Sequence, residues 1–327
     1  MIFTGFLRSK KAFGLFLLPF ILAAIVLLGY YFRPVFPYVA SSSEGLLSVD
    51  LPDTFPAIWS TVLGGMAVLT AACLLFLFNA RYKLLPHNTS LPSFFYLMLT
   101  AGLLTNRGFD SMLAAVLVSI LAFFGLQGAI SNNKTNAPVF NFGFCITLAV
   151  LLFPKFALLL LWAFCVLFFS GRSTLKDILA LLLGIATPLL FVLFYYFWEE
   201  RLEDVWPTFR ESLVSGEYLV EIGTNEMIRY GFLLLLLIFS LFSLLTNYGG
   251  SVVSQRRGVF SLLSLLFFCS ATIFAVPGIS HDFMYLLAFP LSCLYANYFV
   301  TMRYSLPGDL LFLLFLGSCF TDWLIRP

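Results

Sequence analysis

The chain predicts an all-α fold, a polytopic bundle of about eleven transmembrane helices, and three observations carry that prediction. Of its 327 residues, 61% are hydrophobic and only 10% are charged, where a soluble globular domain carries about a quarter charged residues. Mean hydropathy is +0.99. The apolar residues fall in runs of spanning or near-spanning length, separated by short clusters such as LPHNTSLP, SNNKTNAP, SGRSTLKD and SLPGD, which are turn chemistry rather than linkers between domains. Residues 1–327 therefore read as a single integral membrane domain without an internal repeat.

A helix crossing a bilayer needs roughly 20 apolar residues, fewer where protein covers its ends. By that measure the expected spans are 12–32, 57–79, 91–105, 111–130, 140–153, 156–170, 178–198, 228–246, 259–276, 283–301 and 310–325. The first follows Arg8, Lys10 and Lys11 and resembles a signal peptide, but its apolar run is too long for one and lacks a convincing cleavage site, so it reads as an uncleaved span. Asp53 or Thr54, with Pro56, suits the start of the second. The third and fourth are joined by the tight turn NRGFD. Pro154 and Lys155 separate the fifth and sixth, which are both short, and the last run is short as well. Cys73, Cys145, Cys165, Cys269, Cys293 and Cys319 all lie within apolar runs, as small hydrophobes rather than a disulfide or metal framework.

Cytoplasmic loops carry the excess of lysine and arginine. With the N-terminus inside, that side holds Arg8, Lys10, Lys11, Arg81, Lys83, Lys134, Arg172, Lys176, Arg256, Arg257 and Arg303, most of the eighteen basic residues. Of the sixteen acidic residues only Asp177 and Asp309 join them. Orientation does not require acids to gather outside, so their bias directs the search for chemistry to the outer face.

Four outer features could carry it. The loop SSSEGLLSVDLPDTFP offers Asp50 and Asp53, carboxylates placed where a general base would meet a hydroxyl arriving from outside. Arg107 and Asp110 share one tight turn, either as a surface ion pair or as a planar donor fork with its orienting acid, suited to a phosphate. Lys155 stands in AVLLFPKFALLLL, at a turn that its two short helices recess from solvent. An ammonium there either snorkels outward or meets an anion. In GISHDFMYLLAFPLSCLYA, His281, Asp282 and Tyr285 open the tenth span, as a polar turn or as a wall of the same cavity. Residues 199–227 are acidic with interleaved Trp, Phe, Leu and Val, which suits a solvated loop, an amphipathic segment on the outer surface, or the seat of a protein partner.

Taken together, a first outer loop bearing Asp, the R-x-x-D turn of Arg107 and Asp110, the LLFPK hairpin of Lys155 and the late H-x-x-x-Y-L-L-x-x-P-L segment resemble the GT-C class of membrane glycosyltransferases. The likeness is greatest to transferases of mannose or aminoarabinose from polyprenyl-phosphate sugars. That resemblance implies an outward cavity, a polyprenyl-phosphate sugar donor, inverting transfer on the periplasmic face of a bacterial inner membrane, and no cofactor or metal. It implies Asp50 or Asp53 as base, and Lys155 with Arg107 as holders of the donor phosphate. The chain departs from the class in its short first outer loop, in lacking a large soluble domain, and in having His281 and Asp282 where a basic residue often precedes the tyrosine. It is also similar to a family of uncharacterised polytopic inner-membrane proteins common in Bacteroidota. A non-catalytic subunit or a transporter is the alternative, although transporters set their ionisable residues near the bilayer midplane. Membrane lipid is the expected surrounding. Nothing in the chain suits nucleic acid, a P-loop, or a Gly-x-Ser-x-Gly elbow.

Overall fold

A computed structural model describes residues 13–32, 45–47, 57–83, 85, 88–131, 135–214, 224–247, 253–279, 283–302 and 305–324. Among them are twelve α-helices and no strand: α1 (Phe13–Phe32), α2 (Ala57–Tyr82), α3 (Leu91–Arg107), α4 (Ser111–Ser131), α5 (Ala137–Leu152), α6 (Leu158–Phe169), α7 (Leu175–Trp198), α8 (Val205–Val214), α9 (Thr224–Asn247), α10 (Val253–Ala275), α11 (Met284–Thr301) and α12 (Ser305–Leu324). Short 3₁₀ turns, Pro154–Phe156 and Leu202–Asp204, precede α6 and α8.

Each expected apolar run coincides with a helix. Stretches of α2, α4, α7, α9, α10 and α11 are long and apolar enough to cross a membrane, while α1, α3, α5, α6 and α12 hold shorter apolar stretches. The chain is a multi-pass membrane protein. Helix α8 has no counterpart among the expected runs, because it lies within the acidic segment 199–227 and is too short and too polar to span.

α3, α4 and α11 form the centre. The best spanning window of α11 is 78% buried, whereas that of α7 is only 22% buried and belongs to the periphery. Water is not there to drive apolar faces together inside a bilayer, so close packing and interhelical hydrogen bonds must hold the bundle. Aromatic rings fill its middle, with Phe123 stacked on Trp162 and set edge-on to Phe289. A second cluster joins α3 to α11 and α12, where Phe95 stacks on Phe299 and meets Phe315 edge-on. Polar side chains stitch the helices: Ser93 Oγ donates to the Ala72 carbonyl, Ser240 Oγ to Leu294 and Tyr295 Oη to Leu233. Gln127 of α4 and Trp162 of α6 each donate to a serine of α10.

α5 and α7 cross with their backbones nearly touching. A Cβ at Gly143 would stand 2.7 Å from the Leu181 carbonyl oxygen, and one at Gly184 would collide with the Phe140 carbonyl oxygen. Only glycine permits that approach from both sides.

The turns sort the charges to two ends. Arg81, Lys83, Arg172, Lys176, Arg256 and Arg257 lie at the end where α2 and α6 finish and α7 and α10 begin; Gln255 Nε2 donates to the Lys83 carbonyl across it. Asp110, Glu199, Glu200, Glu203, Asp204 and Glu211 lie at the opposite end.

Candidate functional site at the acidic end

The site is built on the turn between α5 and α6. With 16 and 12 residues, these helices are about 24 and 18 Å long at 1.5 Å per residue, less than the roughly 30 Å hydrocarbon core. Pro154 cannot continue α5, and the chain turns through a single 3₁₀ turn before α6 begins. Lys155 sits on that turn, only 5% exposed.

Three pieces of chain pack against this turn and the end of α5. Residues 45–47, from the connection between α1 and α2, dock on the end of α5 through a hydrogen bond from the Leu47 amide to the Leu151 carbonyl at 3.1 Å. Helix α8 packs against the turn and sets Val205 and Phe209 on a small apolar cluster of Leu46, Leu151 and Val192. The turn between α10 and α11 closes the third side: Lys155 Nζ donates to the Gly278 carbonyl at 2.9 Å, and Phe156 meets Phe283 edge-on, their centroids 5.6 Å apart.

Helix α8 shows why segment 199–227 resists reading as a loop. Phe209, Ser212 and Leu213 face the bundle, while Trp206 and Glu211 stay exposed. This is an amphipathic helix whose covered face is the protein's own acidic end. Just before it, Arg201 Nε donates to Asp204 Oδ2 at 3.0 Å, and that bond, with the charge behind it, holds the guanidinium above its ordinary value. Both side chains are well exposed, so the pair contributes little to stability.

The turn between α3 and α4 lies at the same end. Gly108 takes φ of +71°, and a Cβ there would strike the Ser60 hydroxyl. The next amide, Phe109 N–H, donates to the Ser60 carbonyl and hydroxyl, each at 3.1 Å, which ties the turn to α2. Asp110 Oδ1 accepts from the Met112 amide and so caps α4.

The expected site residues therefore fall as follows. Lys155, Asp110 and Tyr285 stand at the acidic end, with Tyr285 buried in the first turn of α11. Arg107 ends α3 there, its side chain outside the described residues, as are Asp50, Asp53, His281 and Asp282. Their neighbours are placed: residues 45–47 dock beside the Lys155 turn, and Gly278 is its hydrogen-bond acceptor.

Arg229 is a residue that sequence reasoning passed over. It lies five residues into α9, is 6% exposed, and shares this end of the bundle with Lys155. An arginine inside the first turns of an apolar helix is the signal that would have found it. Among the described residues no group of three His, Cys, Asp or Glu side chains gathers as a metal site.

A protein-family profile, described as a family of unknown function (DUF6427), matches residues 52–316. No curated protein and no solved structure matches the chain.

Proposed function

The chain belongs to the DUF6427 family, and from that premise we propose that it is a GT-C-like, eleven-span membrane glycosyltransferase working on the outer face of a bacterial inner membrane. The single observation that carries this reading is Lys155, a buried ammonium on a recessed turn at the acidic end. Withdrawing an ammonium from water is costly without a counter-group. Its ammonium donates to the Gly278 carbonyl, a neutral acceptor. A lipid-linked phosphate arriving in the plane of the outer leaflet is an anion that a buried, hydrogen-bonding ammonium at this position would hold.

In the proposed reaction, an acceptor hydroxyl attacks the anomeric carbon of a polyprenyl-phosphate sugar. The bond from that carbon to the phosphate oxygen breaks, its electron pair stays on the phosphate, and the configuration inverts. Asp50 takes the hydroxyl proton, with Asp53 as the other carboxylate within the same loop. Lys155 and Arg107 stabilise the charge that grows on the leaving phosphate, which fixed donors in a low-dielectric pocket do far better than water. Asp110, His281, Asp282 and Tyr285 wall the cavity. Neither a metal nor a cofactor takes part in this scheme.

The test is made on the full chain in lipid nanodiscs, measuring binding of a polyprenyl-phosphate sugar and then transfer by mass spectrometry. Lys155→Ala and Arg107→Ala should each weaken donor binding by about 10- to 150-fold, from the roughly 1.5–3 kcal/mol of a charge-assisted hydrogen bond. Asp50→Asn should abolish transfer and keep donor binding, while Asp53→Asn, which preserves a helix cap, should be milder. Wild-type donor binding by the double variant lacking Lys155 and Arg107 would refute the assignment.

A non-catalytic membrane subunit is the second reading, favoured by the bond from Lys155 to Gly278, which by itself ties two turns together. On that reading Lys155→Met lowers thermal stability, and the wild type binds no donor.

A further inference from the structure

The basic end carries a second feature, independent of the acidic-end reading. An apolar groove runs between the last turns of α6 and the first turns of α7, lined by Phe164, Cys165, Phe168, Ile178 and Leu181, and it ends at Arg172 and Ser173. Phe164, Phe168 and Ile178 are exposed along it, facing what would be lipid.

The rim of the groove is cationic. Arg172 is spent within the protein, donating to Asp177 and to the Ala129 carbonyl. Arg257 and Lys176 are not: both are exposed, and neither makes a hydrogen bond or ion pair among the described residues. The Arg257 guanidinium sits against Gly171, 3.6 Å from where a Cβ would stand, and Gly171 directly precedes the groove residue Arg172. Lys176 lies on the first turn of α7, three residues after Ser173 at the end of the groove. Asp177, the acid of this turn, is buried against Arg172 and does not offset the two exposed cations.

We infer that this groove is a binding site for one anionic phospholipid of the cytoplasmic leaflet, with an acyl chain along Phe164, Phe168 and Ile178 and the phosphate held by Arg257 and Lys176. Charge complementarity selects the occupant. A zwitterionic lipid would bring its own cation to a rim that already holds two, whereas an anionic headgroup meets only opposite charge. The positive-inside rule turns this end toward the cytoplasm, where anionic headgroups and juxtamembrane basic residues attract one another. A chain in the groove also covers aromatic surface that neither α6 nor α7 covers.

The experiment uses the full chain in a mild detergent, titrated with dioleoyl phosphatidylglycerol or dioleoyl phosphatidylcholine and read by native mass spectrometry. The wild type should prefer phosphatidylglycerol. Arg257→Gln with Lys176→Gln should weaken its binding by about 25-fold, from roughly fivefold for each basic residue near an anionic headgroup, and leave phosphatidylcholine unchanged. Arg257→Lys with Lys176→Arg should keep the preference. Cys165→Trp, which fills the floor of the groove, should weaken both lipids.

Salt supplies a measurement on the unaltered protein: 0.5 M sodium chloride should erase the preference for phosphatidylglycerol. Persistence of that preference at high salt would overturn the site whether or not the variants fold. So would undiminished phosphatidylglycerol binding by the double glutamine variant or by Cys165→Trp. Displacement of the lipid by millimolar inorganic phosphate would reduce the feature to a headgroup patch and overturn the groove. These residues lie at the opposite end from Lys155, so donor binding there stays as in the wild type, and the two readings succeed or fail separately.

Discussion

Asp177 and Arg172 are the most deeply buried charged side chains among the described residues. Their 2.9 Å ion pair joins three parts of the chain. Arg172 donates to the Ala129 carbonyl near the end of α4 and to the Thr135 carbonyl before α5, while at the start of α7 the Thr174 hydroxyl accepts from the Asp177 amide, capping the helix, and donates to the Asp177 carboxylate. Asp177→Ala would leave the guanidinium buried without its counter-charge, so a loss of about 3–5 kcal/mol is expected. Arg172→Met with Asp177→Leu should lose less than Asp177→Ala alone, because the costly orphan is then absent. Thermal unfolding in detergent, followed by tryptophan fluorescence, checks both. The cluster SGRSTLKD read only as turn chemistry in the sequence, since nothing local says that an arginine and an aspartate five residues apart are hidden. The recess of the Lys155 turn was legible from a lysine beside proline between apolar runs too short to span, while the sequence left open whether the ammonium snorkels outward or stays buried.

The elements follow the apolar runs closely, with ends displaced by a few residues where polar caps extend a helix beyond its apolar part. α7 begins at Leu175 rather than at Ile178 because Thr174 caps it, and α10 begins at Val253, through Gln255, Arg256 and Arg257. Helix α8 is the element that hydropathy missed, for a helix lying across the end of a bundle needs only one covered face. The crossing of α5 and α7 depends on backbone proximity, which no hydropathy profile carries. Gly184→Ala would press a methyl group into the Phe140 carbonyl and the Phe144 amide. It should lower the melting temperature in detergent, with a cost of about 1–3 kcal/mol as for other overpacked sites. Gly231→Ala is the matched control, since nothing lies within 4 Å of a Cβ there. It should be neutral or stabilising by up to about 1 kcal/mol through helix propensity.

At the scale of the molecule, the separation of charge into two ends sets the expected orientation. On the expected eleven crossings with the N-terminus inside, the C-terminus falls outside. An alkaline phosphatase fused after Pro327 should therefore be active, and a reporter that works only in the cytoplasm should be silent there. The reverse result would mean that one of the other short apolar helices, α1, α3 or α12, does not cross, since the bond from Arg172 to the Thr135 carbonyl brings the start of α5 and the end of α6 to the same end and leaves parity unchanged by that hairpin. The α5–α6 hairpin recesses the Lys155 turn at the acidic end whichever way the remaining helices run.

By itself the sequence determined the class of the protein, the position of eleven apolar helices and the sorting of charge between two faces. Those properties depend on local composition and on the length of chain needed to cross hydrocarbon, and both are written residue by residue. Tertiary structure alone decided which charges are buried, which helices are central, and what covers the Lys155 turn. The Gly278 carbonyl that meets Lys155 lies 123 residues away, and α8 reaches the turn from about fifty residues on. Such meetings arise from how helices pack and where their turns are tied, and no periodicity within a single run encodes them.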